Sequence, residues 1–231
     1  MSKTLKKRFK DLEYGRAGSF GNNVSTPRTR RLALWHFYLF DHAFLRGLWD
    51  NLTEIAPGVW RSNQPSPKRI EKYKKMGIKT ILSLRGNPNQ PISFMLLEKQ
   101  ACSDLGMTFV TEKLSARSLL PKENYLAVLD RLEQLKPPFL LHCKSGADRA
   151  GLVSALYLLH IKGAPLSEAR KQLHWRFMHL KSTKTGILDH MLDCYEADTV
   201  RLGDMPIRDW LEHHYDQKAA TASFKPLWKH S

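Results

Sequence analysis

Phe139-Leu140-Leu141-His142-Cys143-Lys144-Ser145-Gly146-Ala147-Asp148-Arg149-Ala150-Gly151, continued by the apolar run Leu152 to Ile161, is the stretch on which the reading of this chain turns. A short apolar run enters it as a buried strand would, a glycine-containing turn follows, and a nearly all-apolar helix leaves it. Backbone N–H groups at a helix start lack partners and point outward together, so they hold an oxyanion. Gly146 lets the backbone bend without a Cβ clash, and successive amides then line a concave nest. Arg149, six positions beyond Cys143, carries a planar fork that takes two phosphate oxygens at once. Amides, helix end and guanidinium all favour negative charge on the sulfur. That arrangement predicts a thiolate beneath a bound tetrahedral anion, placed for in-line attack. A lone cysteine is more often a structural core residue. The full string His-Cys-x-x-Gly-x-x-Arg between strand and helix is what argues for a phosphate site.

Working outward, Pro57-Gly58 turns a hairpin over Asn51 to Ser62. Ser66 before Pro67 reads as the cap of a helix running to about Met76. Ile78 to Leu84 is a buried strand, and the loop after it, starting at Arg85, is expected to approach the site. Ser93 to Leu105 is amphipathic, and Met107 to Thr111 is a third short strand. A helix from about Lys122 to Leu135 ends at Pro137-Pro138. Ser167 is expected to cap the next helix, Gly186 precedes another to about Leu202, and Ile207 to Gln217 forms the last before a basic tail. This alternation means an α/β sandwich.

The chain of 231 residues suits one domain with an extension, and its 42% hydrophobic content supports a sizeable core. A net charge of +15 favours anionic partners. No nucleic-acid-reading motif accompanies it, so no nucleic acid is expected. Residues 1–31 hold nine Lys and Arg against Asp11 and Glu13, which reads as a basic arm able to meet an anionic membrane surface. Arg31 to Trp49 is a predicted helix with Leu34, Phe37, Tyr38, Leu45, Leu48 and Trp49 on one stripe, interrupted by Asp41. It covers the domain or lies on a bilayer; Asp41 and His42 read as a satisfied core pair. Cys102, Cys143 and Cys194 lie far apart, which points to a reducing compartment and a cytoplasmic protein. No signal-peptide pattern opens the chain and no run is long enough to span a membrane. His174 and His179, five apart, do not share a helical face, so no metal is assigned to them.

The stretch around Cys143 resembles the Cys-x5-Arg loop of the cysteine-dependent phosphatases, in the protein tyrosine and dual-specificity branch. The longer string is similar to bacterial dual-specificity-like domains, including the type found fused to an NAD kinase. Val59 to Pro67 and Thr80 to Gly86 resemble the opening of the same domain. The resemblance implies a three-layer sandwich with a small, mostly parallel central sheet flanked by helices, plus an N-terminal helical extension. The divisions are then an arm at 1–31, a cover helix at 32–50, a phosphatase domain at 51–203 and a C-terminal helix and basic tail at 204–231.

It also implies a metal-independent phosphomonoester hydrolase without cofactor, working through a phosphocysteine on Cys143. Arg149 and the backbone of Lys144, Ser145, Gly146 and Ala147 would bind the phosphoryl group, His142 would order the loop, and Arg117 would add an outer anion contact. Two positions depart from the family pattern. Where relatives place Ser or Thr after the arginine stands Ala150, so Ser145 or a water substitutes, or the intermediate breaks down slowly. The upstream segment Thr111 to Pro121 has no Asp to serve as general acid; Glu112 is its only carboxylate. Some inositol-lipid phosphatases have an Asp at the position of Asp148 and a Lys at that of Lys144, so Asp148 is the favoured acid, with Glu112 or water as alternatives. The substrate is a phosphorylated protein or, alternatively, a phosphoinositide or other small anionic phosphoester. A phosphate-binding adaptor with little turnover is the third reading.

Overall fold

The central strand β5 (Phe139–Cys143) is buried at every position, as its apolar run requires. The computed structural model describes residues 21–47, 49–86 and 91–227. Around β5 the chain builds a five-stranded sheet from β1 (Thr53–Ala56), β2 (Val59–Asn63), β3 (Thr80–Ser83) and β4 (Thr108–Thr111), in the order β1-β2-β5-β3-β4. Only β1 runs antiparallel, paired to β2 through the turn that includes Gly58. The parallel register sets Asn63 beside Cys143, and both Ser62 and Ser83 beside His142. Three strand ends therefore meet at one place, where ligands sit in open α/β sheets.

Alternation along the strands sorts the side chains into two layers. Leu140 and Ile81 pack with Ile70 and Tyr73 of α2 (Pro67–Lys75) and with Ala101 and Cys102 of α3 (Ser93–Asp104). Phe139, Leu141 and Leu82 face the larger core, built with α4 (Lys122–Gln134), α5 (Asp148–His160), α7 (Ile187–Leu202) and α8 (Ile207–His213). The same alternation points His142 toward α3 and Cys143 toward α5. Cys102 and Cys143 thus belong to cores on opposite faces of the sheet, and all three cysteines are free.

The ends of the chain differ from expectation. The first helix, α1, spans Pro27–Leu39 and begins four residues before Arg31. Thr26 and Thr29 form a reciprocal capping box with Pro27 at the first helical position, a strong start signal inside what reads as arm. The helix stops at Leu39, and only a 3-10 turn at Leu45–Gly47 continues toward Trp49. Ala33 and Phe37 of α1 pack on Phe94, Met95 and Leu97 of α3, so it does cover the domain, yet Tyr38 of the expected buried stripe is exposed. The basic arm up to residue 20 lies outside the described residues. Further on, Pro165 rather than Ser167 stands at the start of α6, which lasts only for Leu166–Ala169. The chain then runs through 3-10 turns to Met178, whose φ of 64° ends any helix. The last part holds two short helices, α8 and α9 (Gln217–Ser223), instead of one helix and a tail.

Candidate active site

Cys143 is the last residue of β5, and Asp148 the first of α5, so four residues make the connection. What shapes this loop is the fate of its carbonyls. The carbonyl of Lys144 accepts the Gln64 amide at 3.2 Å, and that of Ser145 accepts Asn51 Nδ2 at 2.8 Å. Those of Gly146 and Ala147 accept Arg61 Nη2 at 2.6 and 3.1 Å. With four successive carbonyls held outward, the amides are left to line the inside. The first three amides of α5 add to them, because a helix start has no intrahelical acceptors for them.

Gly146 is obligatory here. Its φ is +75°, and a Cβ would lie 2.7 Å from the Asn63 nitrogen and 2.8 Å from the Ser62 carbonyl. Those are backbone atoms of β2, which cannot yield without breaking the sheet. Gly146→Ala is expected to lower stability by about 2 kcal/mol or more and to weaken phosphate binding sharply. Urea unfolding and phosphate titration of the variant check this; wild-type values in both would show that the loop relaxes freely.

Arg61 is the brace of the loop and was not assigned a role from sequence. It is fully buried, donates through Nη1 to the Gln172 backbone and side-chain oxygens at 2.8 and 2.9 Å, and stacks 3.9 Å from the Phe177 ring centre. Burial lowers its pKa to about 9, with the charges of Cys143 and Asp148 pulling the other way. The guanidinium therefore remains cationic at neutral pH, behind Cys143. Gln172 closes the 3-10 turn after α6, and its oxygens serve Arg61 instead of continuing a helix. A Cβ on Gly151 would meet that same carbonyl at 2.7 Å.

The other residues expected at the site fall as follows. Cys143 lies at the floor, 1% exposed. Arg149 donates through Nη1 to the Leu84 carbonyl at 3.2 Å, and its buried Nε has no acceptor among the described residues. A buried charged donor without a partner is costly, and an oxyanion would satisfy it. His142 is fully buried, with Nε2 2.6 Å from Glu98 Oε1 and Nδ1 3.3 Å from the Cys143 carbonyl. Glu98 in turn accepts Gln64 at 2.7 Å, so His142 links the loop to α3. The Ser145 hydroxyl accepts the Ala147 amide at 3.3 Å and so shapes the loop. Ala150 is fully buried, and its carbonyl takes the nearest helix hydroxyl, Ser154, at 2.7 Å.

Glu112 is tied to Arg131 of α4 at 3.0 Å, and Arg117 is exposed on the segment between β4 and α4. Asp148 is held from another direction. Its Oδ1 is 2.8 Å from His179 Nδ1, while His179 Nε2 is 2.7 Å from Asp189 Oδ2. Burial alone would lower the His179 pKa, but hydrogen bonds to Asp148 and Asp189, and their charges, raise it to about 9. The imidazole is therefore cationic at neutral pH and both nitrogens are committed to carboxylates. Relative to an unfolded value near 6.5, a raised folded pKa gives stability that is complete below about pH 6.5 and lost as pH rises through about 9. Thermal unfolding from pH 6 to 10 should show that loss in the wild type and a flatter profile in His179→Gln; equal profiles would contradict the clamp.

Asp41 also enters the site, and its partner is not His42. Its carboxylate meets Arg46 at 2.6 Å, Arg85 at 2.8 Å and Lys144 Nζ at 3.3 Å. Burial would raise its pKa, but Arg85, Arg46 and Lys144 together hold it well below the usual carboxylate range. Arg85 also donates to Gln64 at 2.9 Å and lies over the Phe94 ring. The N-terminal segment is thus joined to the residue directly after Cys143.

A strand-borne cysteine under an amide nest, an arginine at the helix start and a buried arginine behind them agree with one comparison in particular. The family model described as "Swiss Army Knife protein, DSP-PTPase phosphatase domain" matches residues 55–189, more than half of the chain. The chain belongs to this phosphatase family. Among curated proteins, the dual specificity protein phosphatase TpbA of Pseudomonas aeruginosa strain UCBPP-PA14 is 24% identical over 115 residues, 49% of this chain and 48% of that protein. The chain therefore spans about half the length of the curated relatives it matches. Among solved structures, P. aeruginosa TpbA gives a TM-score of 0.50 at 21% identity, covering 66% of this chain and 89% of that one. The core catalytic domain of the PP-IP phosphatase SIW14 of S. cerevisiae gives 0.47 at 17%, covering 65% and 90%. At 21% identity the likeness to TpbA speaks for the fold, a DSP-like α/β sandwich. The family's N-terminal limit at residue 55 leaves α1 and Asp41 outside the shared domain.

Proposed function

We propose that this phosphatase-family chain hydrolyses phosphomonoesters through a phosphocysteine on Cys143. The observation that carries the reading is the outward commitment of four loop carbonyls around a buried sulfur, with an Arg149 Nε that has no partner among the described residues. Preorganised amides and a guanidinium stabilise charge on the phosphoryl oxygens most strongly in the transition state. The thiolate attacks phosphorus, the ester bond breaks, and the leaving oxygen takes a proton. Water then attacks the phosphocysteine and releases phosphate.

Asp148 is the proton donor in this reading. The proton stored on His179 passes through the Asp148 carboxyl to the leaving oxygen, and Asp189 steadies the imidazole. The raised His179 pKa and its two short hydrogen bonds support this route over Glu112, which Arg131 holds. Lys144 and Arg117 contact the substrate outside the phosphoryl group, and a phosphoprotein or a small phosphoester would both present anionic surroundings to them. The three free cysteines suit a reducing, cytoplasmic setting.

Hydrolysis of aryl phosphate should proceed unchanged in a chelator; a requirement for added divalent metal would overturn the reading. Asp148→Asn is expected to cost about 10²-fold or more in kcat with an alkyl phosphate, whose leaving oxygen needs a proton. With p-nitrophenyl phosphate the loss should be much smaller. Equal losses on both substrates would remove Asp148 as the acid.

A further inference from the structure

The large apolar side chains left exposed are concentrated in two places. Of the twelve among the described residues, Trp35, Tyr38, Leu39, Phe44 and Leu45 lie on α1 and the turn after it, and Trp175, Met178 and Leu180 on the segment after α6. Trp35 is 61% exposed and Trp175 74%. Exposed apolar side chains gathered together, unlike single ones, mark an interaction surface.

Both segments are fastened to the rim of the phosphate loop. The first reaches it through Asp41, which meets Lys144 at 3.3 Å. The second reaches it twice: Asn51 bridges the Phe177 and Ser145 carbonyls at 3.1 and 2.8 Å, and His179 meets Asp148 at 2.8 Å. The segments that bear the apolar groups are thus tied to the loop at residues 144, 145 and 148.

The charge around them is mainly positive, although the exposed Asp104 lies beside Arg30 and Arg31. Arg28, Arg30 and Arg31 of α1 are exposed, as are Arg176, Lys181 and Lys184 beside the second segment. Lys181 shares Asp193, 3.6 Å away. Residues 21–47 contain a single carboxylate, Asp41, and it is buried; residues 170–186 contain none. Residues 1–31 carry a net +7 in sequence, from nine Lys and Arg less Asp11 and Glu13. Tryptophan, tyrosine and long aliphatic groups mixed with an excess of arginine and lysine match the chemistry of an anionic bilayer surface: apolar groups enter the acyl boundary and cations meet lipid phosphates.

We propose that the face bearing the mouth of the phosphate loop docks on an anionic lipid bilayer, with Trp35 and Trp175 inserted on either side. That Cys143 acts there on phosphoesters presented from the membrane rests on the function proposed above; the docking itself does not.

Sedimentation of the full chain with vesicles of phosphatidylcholine alone, and with added phosphatidylglycerol, tests the docking. Binding is expected only to the anionic vesicles. Trp35→Gln and Trp175→Gln are each expected to weaken it about tenfold, and the pair further, while turnover of a water-soluble aryl phosphate is unchanged. No binding to anionic vesicles, or binding that both substitutions leave intact, would overturn the proposal. So would capture of a phosphoprotein by the same two tryptophans without vesicle binding. Vesicle binding by a chain inactive on aryl phosphate would keep the docking and sink the catalytic reading instead.

Discussion

Cys143→Ser is expected to abolish aryl phosphate turnover, by about 10³-fold or more in kcat, while phosphate or tungstate still binds. The substitution changes one atom of a buried side chain, so the fold is retained. Serine's hydroxyl stays protonated, and no base stands ready to take its proton: His142 is turned to Glu98 on the other face of the sheet. The amides and Arg149 are untouched, so anion affinity survives. Steady-state kinetics with calorimetric anion binding separates the two. Turnover surviving in the serine variant would remove the phosphocysteine. Loss of both turnover and anion binding would show that the sulfur holds the loop together rather than attacking.

The second large effect is expected at Arg61→Met. Methionine keeps much of the apolar stem but none of the donors. The Gly146 carbonyl and two oxygens of Gln172 lose their partner together, the Ala147 carbonyl keeps only the Gly151 amide, and the stacking on Phe177 goes with them. Leaving buried acceptors unsatisfied costs about 1–3 kcal/mol each when nothing relaxes, and the lost cation–π contact adds about 1 kcal/mol. Stability should fall by about 3 kcal/mol or more, read by urea unfolding. Anion binding should fall with it, because carbonyls freed from Arg61 turn toward the nest and oppose the phosphate. Arg61→Lys should restore little, since one ammonium cannot span Gly146, Ala147 and Gln172 as the planar fork does. Wild-type anion affinity in a folded Arg61→Met variant would show that the loop keeps its shape unaided.

These two positions also mark what was legible in sequence. Cys143 and Arg149 stand in one local run, and their roles follow from strand, turn and helix start within thirteen residues. The hairpin at Gly58 and the helix starting at Pro67 were equally plain, because caps and turns are local chemistry. Arg61 sits on β2, 85 residues from the carbonyl it holds, and an arginine in a strand carries no sign of its partner. His179 was weighed only as a metal ligand at helical spacing, but the chain there is not helical, and two carboxylates from different elements claim it. Asp41 read as paired with His42, its neighbour, and instead serves Arg46, Arg85 and Lys144. The start of α1 was legible at Thr26 and Pro27 but hidden by the basic composition around it.

Local spacing alone determined that this chain places a cysteine beneath a ring of amides and an arginine at a helix start, since both depend on neighbours in the chain. Only the tertiary structure decided how that ring is kept open. The buried cation behind it, the imidazole clamped at its edge and the carboxylate reaching in from the N-terminal segment all come from far along the chain. Their charges lie out of water, where each is stable only opposite a partner, and packing alone selects which partner that is.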